Sequence, residues 1–229
     1  MKKISLVTGG SSGLGFELSK QLIALGKTVC IIGKNEAKLK KALTKLGNGA
    51  FGFGGDVSDE AFIKSVMEQL KAKNHTIEYL FNCAGVGLFG DPDKNNSEMI
   101  NSVIDSNLKG TIIVTNYALE LMKQNGGKII NIISSAGLKG NPLESVYCAS
   151  KWGARGYTES LKAYFKGSNI KVIGVYPGGM NTPFWNESRN YVSVEKANSF
   201  MNPKEVALVI INNVVNNKVS VSDINIERP

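Results

Sequence analysis

The chain has 229 residues, 42% of them apolar and 20% charged, and a formal charge of +8 from 27 basic and 19 acidic side chains. That is enough chain to bury the core of one large α/β domain, while no apolar run approaches the ~18 residues of a membrane span. The basic balance comes with no nucleic-acid motif, so neither a membrane nor a nucleic acid is an expected partner.

Along the chain, MKKISLV has too short an apolar part for a signal peptide and no small-residue cleavage site follows it. It reads as a first strand, and the protein as cytoplasmic. Further strands are expected at TVCII, YLFNC, KIINII and KVIGVY, with AFGF a weaker candidate and VSVSDINI a last one. Most are nearly continuously apolar, as in a parallel sheet covered on both faces. Between them lie helical patterns. Leu18, Leu22 and Leu25 form one stripe, closed by Gly26. Phe62, Val66 and Leu70 form a second, opened by Ser58 as N-cap. Longer helices are expected over 97–124 and 145–166. NPKEVALVIINNVV gives a last helix, with Asn202 as N-cap and Pro203 at its first position. This alternation implies a single α/β domain, a Rossmann-type doubly wound parallel sheet with helices on both faces.

Cys30, Cys83 and Cys148 are scattered, with no C-x-x-C or Cys/His spacing. They read as small apolar fillers, against a disulfide frame and against a metal site. The single histidine, His75, lies in polar KAKNHT and reads as a solvated loop residue. Neither Ser134 nor Ser135 sits in a G-x-S-x-G elbow, which argues against a hydrolase.

The first strand runs into TGGSSGLG, residues 8–15, and then into a helix. Gly9, Gly13 and Gly15 let the backbone turn tightly and let phosphate oxygens approach the N–H groups at the helix start. Ser11, Ser12 and Leu14 complete the loop. The second strand ends in GKNEAK, with Gly33 and Lys34 where NAD-binding proteins usually carry an acid for the ribose 2′-hydroxyl. A lysine can neutralise a 2′-phosphate, so NADP(H) is expected over NAD(H). Glu36 as a ribose ligand is the alternative.

Tyr147 and Lys151 in YCASK are four residues apart, which on a helix puts both side chains on one face. A free tyrosine has a pKa near 10, and a nearby ammonium would stabilise the tyrosinate and lower it. The spacing therefore suits an acid–base unit.

Taken together, these motifs resemble the classical short-chain dehydrogenases/reductases over nearly the whole chain. GDVSD puts Asp56 and Val57 where that family approaches the adenine. NCAG, with Asn82, Ala84 and Gly85, is similar to the family's N-N-A-G, Cys83 replacing the second asparagine. IDSNLKG supplies Asn107 at the catalytic asparagine, and YPGGMNT supplies Pro177, Gly178 and Thr182 on the nicotinamide side. The ending VSVSDINIERP lacks the D-G-G of many members.

The resemblance implies an NADP(H)-dependent oxidoreductase interconverting a carbonyl and a secondary alcohol. Tyr147 would be the general acid/base, and Lys151 would lower its pKa and hold the nicotinamide ribose. Asn107 would anchor a relay water. Ser135 is the expected substrate-binding serine, with Ser134 a capping hydroxyl or the reverse. Residues 178–202 would form the substrate loop, with Phe184, Trp185 and Tyr191 either lining an apolar pocket or packing the loop onto the domain. A homodimer or homotetramer is the expected assembly. A nucleotide-binding sensor without turnover is the alternative function, and Tyr147→Phe separates the two.

Overall fold

A computed structural model describes residues 1–187, 199–215 and 219–228. Seven parallel strands form one sheet in the order β3-β2-β1-β4-β5-β6-β7. They are β1 (Lys2–Thr8), β2 (Val29–Gly33), β3 (Ala50–Gly54), β4 (His75–Asn82), β5 (Gly127–Ile132), β6 (Ile170–Pro177) and β7 (Asp223–Ile226). The weakly predicted AFGF is β3, an edge strand paired in register with β2. The helices are α1 (Gly13–Ala24), α2 (Glu36–Leu46), α3 (Glu60–Ala72), α4 (Ser97–Ile104), α5 (Gly110–Glu120), α6 (Ser145–Tyr164), α7 (Phe184–Glu187) and α8 (Pro203–Val214).

The alternation of strand side chains divides the core between two faces. Val7 and Ile31 pack with Leu18 and Leu22 of α1 and Ile210 and Val214 of α8. Leu6 and Ile32 point the other way, against Ile63 and Leu70 of α3 and Val114 of α5. Cys30 is fully buried in this second cluster.

Several local expectations are corrected. Leu25 is 52% exposed and is the C-cap of α1; Leu14, Leu18 and Leu22 carry the buried stripe. Gly26 follows at φ 74°, closing the helix as expected. The N-cap of α3 is Asp59, whose carboxylate accepts from Phe62 N at 3.1 Å. Ser58 instead donates its N–H and its hydroxyl to Asp56. The single helix expected over 97–124 is broken by one π-helical turn at Asp105–Lys109. His75 opens β4 and stacks on Phe51 with ring centroids 5.5 Å apart, so it is not a solvated loop residue. Asn202 caps α8 through Lys204 N, with Pro203 in the first turn. Tyr191 lies outside the described residues, as does part of the expected loop over 178–202.

Candidate active site

Between β1 and β4 the strand order reverses direction from the middle of the sheet, and the chain leaves each strand toward opposite faces. Crevices at such switch points hold ligands in open α/β sheets. Here a cleft of about 1670 Å³ runs along the carboxyl ends of the strands. That exceeds the usual volume of a pocket for one small molecule, roughly 300–1,000 Å³.

Its floor is the glycine loop. Gly9 has φ 65°, and a Cβ there would stand 2.9 Å from the Ala84 Cα. At Gly15 a Cβ would stand 2.5 Å from the Gly9 carbonyl oxygen. Side chains at either place would push the loop off the strands. Thr8 ties the loops together: its hydroxyl accepts from the N–H groups of Cys83 and Ala84, each at 3.0 Å. The first turn of α1 follows Ser12, whose side chain makes no capping hydrogen bond. The orphan N–H groups of that turn and the positive end of α1 therefore suit an anion.

Ser11, Ser12, Gly13, Leu14, Lys34, Asp56, Val57, Ala84 and Gly85 all line this cleft, as do Pro177, Gly178 and Thr182 from the far side. Lys34 pairs with Asp56 at 2.7 Å. Burial pushes the Asp56 carboxyl up, but hydrogen bonds from Lys34 and Ser58 outweigh it and hold the group below its ordinary range. Asn82 is the exception among the expected cofactor ligands, for it is buried within the sheet. It sits in register with Asn131 on β5 and donates to the Asn131 Oδ1 at 2.8 Å and to the Thr115 hydroxyl at 2.9 Å. Its amide ties strands and α5 together and does not face the cleft. Cys83 does line it, where burial pushes the thiol up to about 12.

Tyr147 and Lys151 lie one turn apart on α6 and both line the cleft. Lys151 Nζ donates to the Ile132 carbonyl at 3.1 Å and stands 5.7 Å from the Tyr147 ring centroid. Burial lowers the Lys151 pKa to about 8, with Cys83 opposing. Burial also pushes the Tyr147 phenol well above its ordinary value, against the lowering effect of a hydrogen bond shared with the Ser134 hydroxyl. Lys151 is not among the groups that move the Tyr147 pKa; desolvation dominates it, and the phenol is protonated in the neutral range.

Ser134 and Ser135 both line the cleft, and of the two it is Ser134 that acts on the Tyr147 phenol, lowering its pKa. The Ser134 backbone has φ 138° and ψ 157°, a region nearly confined to glycine that costs on the order of 1–3 kcal/mol. In that conformation the hydroxyl oxygen accepts from Ala136 N at 3.1 Å. Ser135 starts the following 3₁₀ turn and also lines the cleft.

Asn107 is 1% exposed, in the π-helical turn. Its amide donates to the Val86 carbonyl and to Ser150 Oγ, each at 3.0 Å, and its oxygen accepts from Val86 N at 2.8 Å. Both amide hydrogens are used within the fold.

Phe184 and Trp185 line the same cleft, and the sequence reading missed two further rings beside them. Phe89 stands 5.6 Å from Tyr147, 6.1 Å from Phe184 and 5.2 Å from Trp185. Phe200 stands 4.9 Å from Trp185. Neither lies in a motif, and only the fold brings Phe89 to Tyr147 and Phe200 to Trp185. No cluster of His, Cys, Asp or Glu able to hold a metal occurs among the described residues, and no helix there is long and apolar enough to cross a membrane.

The family profile described as short chain dehydrogenase matches residues 3–192. The chain belongs to that family. A relative from Xenopus laevis, carbonyl reductase family member 4, is 34% identical over 215 residues, covering 92% of this chain and 90% of its own. A short-chain dehydrogenase/reductase from Vibrio parahaemolyticus has the same fold, with a TM-score of 0.87, 32% identity and coverage of 99% of this chain and 100% of its own. A serine dehydrogenase solved with NADP+ superimposes with a TM-score of 0.87 at 27% identity, covering 97% of this chain and 94% of its own. This short-chain dehydrogenase is therefore an oxidoreductase of the nicotinamide-using type, with one Rossmann-like sheet from end to end.

Proposed function

We propose that this oxidoreductase reduces a carbonyl to a secondary alcohol with NADP(H), Tyr147 being the general acid. The observation that carries the reading is the meeting of Tyr147, Lys151 and Ser134 on the wall of the cleft that also holds the glycine loop. A nicotinamide dinucleotide bound along that cleft would supply the hydride. The loop N–H groups and the start of α1 suit its phosphates. Thr182, whose Cβ lies 3.3 Å from where a Gly13 Cβ would be, bounds the opposite wall.

The chain's own part is position and a proton. Ser134 and Tyr147 would both hydrogen-bond the substrate oxygen, and the Tyr147 phenol would give its proton as negative charge develops there. A phenol kept protonated by burial suits the reducing direction. Lys151 would hold the ribose hydroxyls and replenish the charge balance beside the tyrosine. Asn107 supports the site from outside it, through the backbone at Val86.

The phosphate reading rests on Lys34 at the end of β2, whose side chain is 80% exposed and able to leave Asp56 for a stronger anion. Glu36, the alternative ribose ligand, lies over Gly54 and is absent from the cleft wall. The serine dehydrogenase solved with NADP+ agrees with this preference, and the carbonyl reductase relative with the direction. Exposed Trp152 on α6 and Ile100 on α4 support an assembly through the long helices, as a homodimer or homotetramer in a soluble compartment such as the cytoplasm.

The test is loss of NADPH absorbance against a panel of ketones and aldehydes, for wild type and Tyr147→Phe. Turnover by the wild type, with the variant keeping NADPH affinity and losing activity at least a hundredfold, is the expected result. A wild type that binds NADPH yet reduces no carbonyl would overturn it.

A further inference from the structure

The rings around Tyr147 form a cluster of their own, separate from the two that fill the faces of the sheet. Tyr147, Cys148 and Ala136 are its buried members, and Phe89 and Phe184 pack against them. Phe89 is its centre. It meets Tyr147 tilted, Phe184 edge-on and Trp185 nearly stacked. Such geometries use the ring quadrupole, and a further flat ring could join them in the same way.

Several polar groups beside these rings have partners among the described residues. Trp185 Nε1 donates to the Met180 carbonyl at 2.7 Å. The Asn141 amide donates to the Glu144 carboxylate at 2.9 Å. The Arg228 guanidinium lies 5.5 Å over the Phe200 ring. Around Tyr147 itself the wall is aromatic carbon from Phe89 and Phe184, and a polar group set against those rings would forfeit its water without finding a replacement there.

We infer that the substrate is an aryl ketone or aryl aldehyde, its carbonyl attached directly to a flat apolar ring that packs against Phe89. This rests on the carbonyl-reductase reading above. A directly attached ring fits because Phe89 packs on the Tyr147 ring itself, centroids 5.6 Å apart, so apolar surface begins beside the phenol that gives the proton. Phe89 is then the residue that sets specificity.

The test compares kcat/KM for acetophenone, cyclohexyl methyl ketone, 2-octanone and 4-acetylbenzoate, using NADPH and the full chain. Acetophenone is expected to exceed cyclohexyl methyl ketone by about tenfold, the scale of one or two good ring pairs. It should exceed 2-octanone and the charged 4-acetylbenzoate by at least as much. Phe89→Leu keeps an apolar filler should Phe89→Ala fold poorly. Either variant should lower the acetophenone value about tenfold more than the cyclohexyl value. Equal wild-type values for the two ketones, or equal losses in the variants, would mean that the rings only pack the loop, and would overturn the inference while leaving carbonyl reduction intact. Failure on all four ketones and on benzaldehyde alike would overturn both.

Discussion

The Asn107 side chain donates to Ser150 Oγ at 3.0 Å, across 43 residues of chain. Ser150 in turn donates to the Tyr147 carbonyl at 2.7 Å and is fully buried. A hydroxyl inside YCASK therefore joins the π-helical turn to the helix that carries the acid. If Ser150 acts through Asn107, Ser150→Ala should lower kcat about tenfold with KM little changed. On an Asn107→Ala background the same change should cost almost nothing more. A double-mutant cycle on kcat checks this, and additive losses would assign Ser150 a purely structural part.

The two adjacent serines should separate sharply. Ser134→Ala is expected to lower kcat about 10²–10³-fold, the usual loss for one donor to a developing oxyanion. Ser135→Ala should stay within a fewfold of wild type. Steady-state kinetics on the two variants decides it.

Lys151 gives a signed pH effect. Its pKa falls from 10.5 to about 8 on folding, so between those values the unfolded chain binds more protons and stability rises with pH. Lys151→Met removes that contribution. The variant should gain Tm relative to wild type at pH 7, with the gain shrinking as pH rises from 8 to 10. Taking the difference cancels the buried Cys30 thiol, which titrates in the opposite sense, while Cys83, coupled to Lys151, loses the lowering effect of the ammonium in the variant. Melting curves across that range provide the check.

At the other end of the cleft, Lys34→Ala should weaken NADPH binding about tenfold and leave NADH nearly unchanged, because only the former brings a 2′-phosphate to the lysine. Fluorescence titration of both nucleotides measures the ratio.

Spacing made much of this site legible. The glycines of residues 8–15 and the interval from Tyr147 to Lys151 are backbone periodicities, and a helix or a strand-to-helix turn converts them directly into position. Asn82 shows where that fails. Its place in NCAG suggested the cleft, but side chains alternate along a strand, and the register with Asn131 took it into the sheet. Ser134 and Ser135 differ by a φ angle that adjacency in sequence does not encode. Phe89 and Phe200 reach the site only through long loops, whose paths are set by tertiary packing. The π-helical turn interrupts a pattern that reads as continuous helix, because one extra residue in a turn leaves the apolar count unchanged.

Ser134 also sets two selective demands against each other. Glycine adopts its φ of 138° without strain, which recovers about 1–3 kcal/mol against the roughly 0.4–1 kcal/mol that a freer unfolded chain withdraws. Ser134→Gly should therefore melt at a higher temperature than wild type while losing turnover with the hydroxyl. A screen for thermostability alone would favour glycine here and return a sturdier, inactive protein.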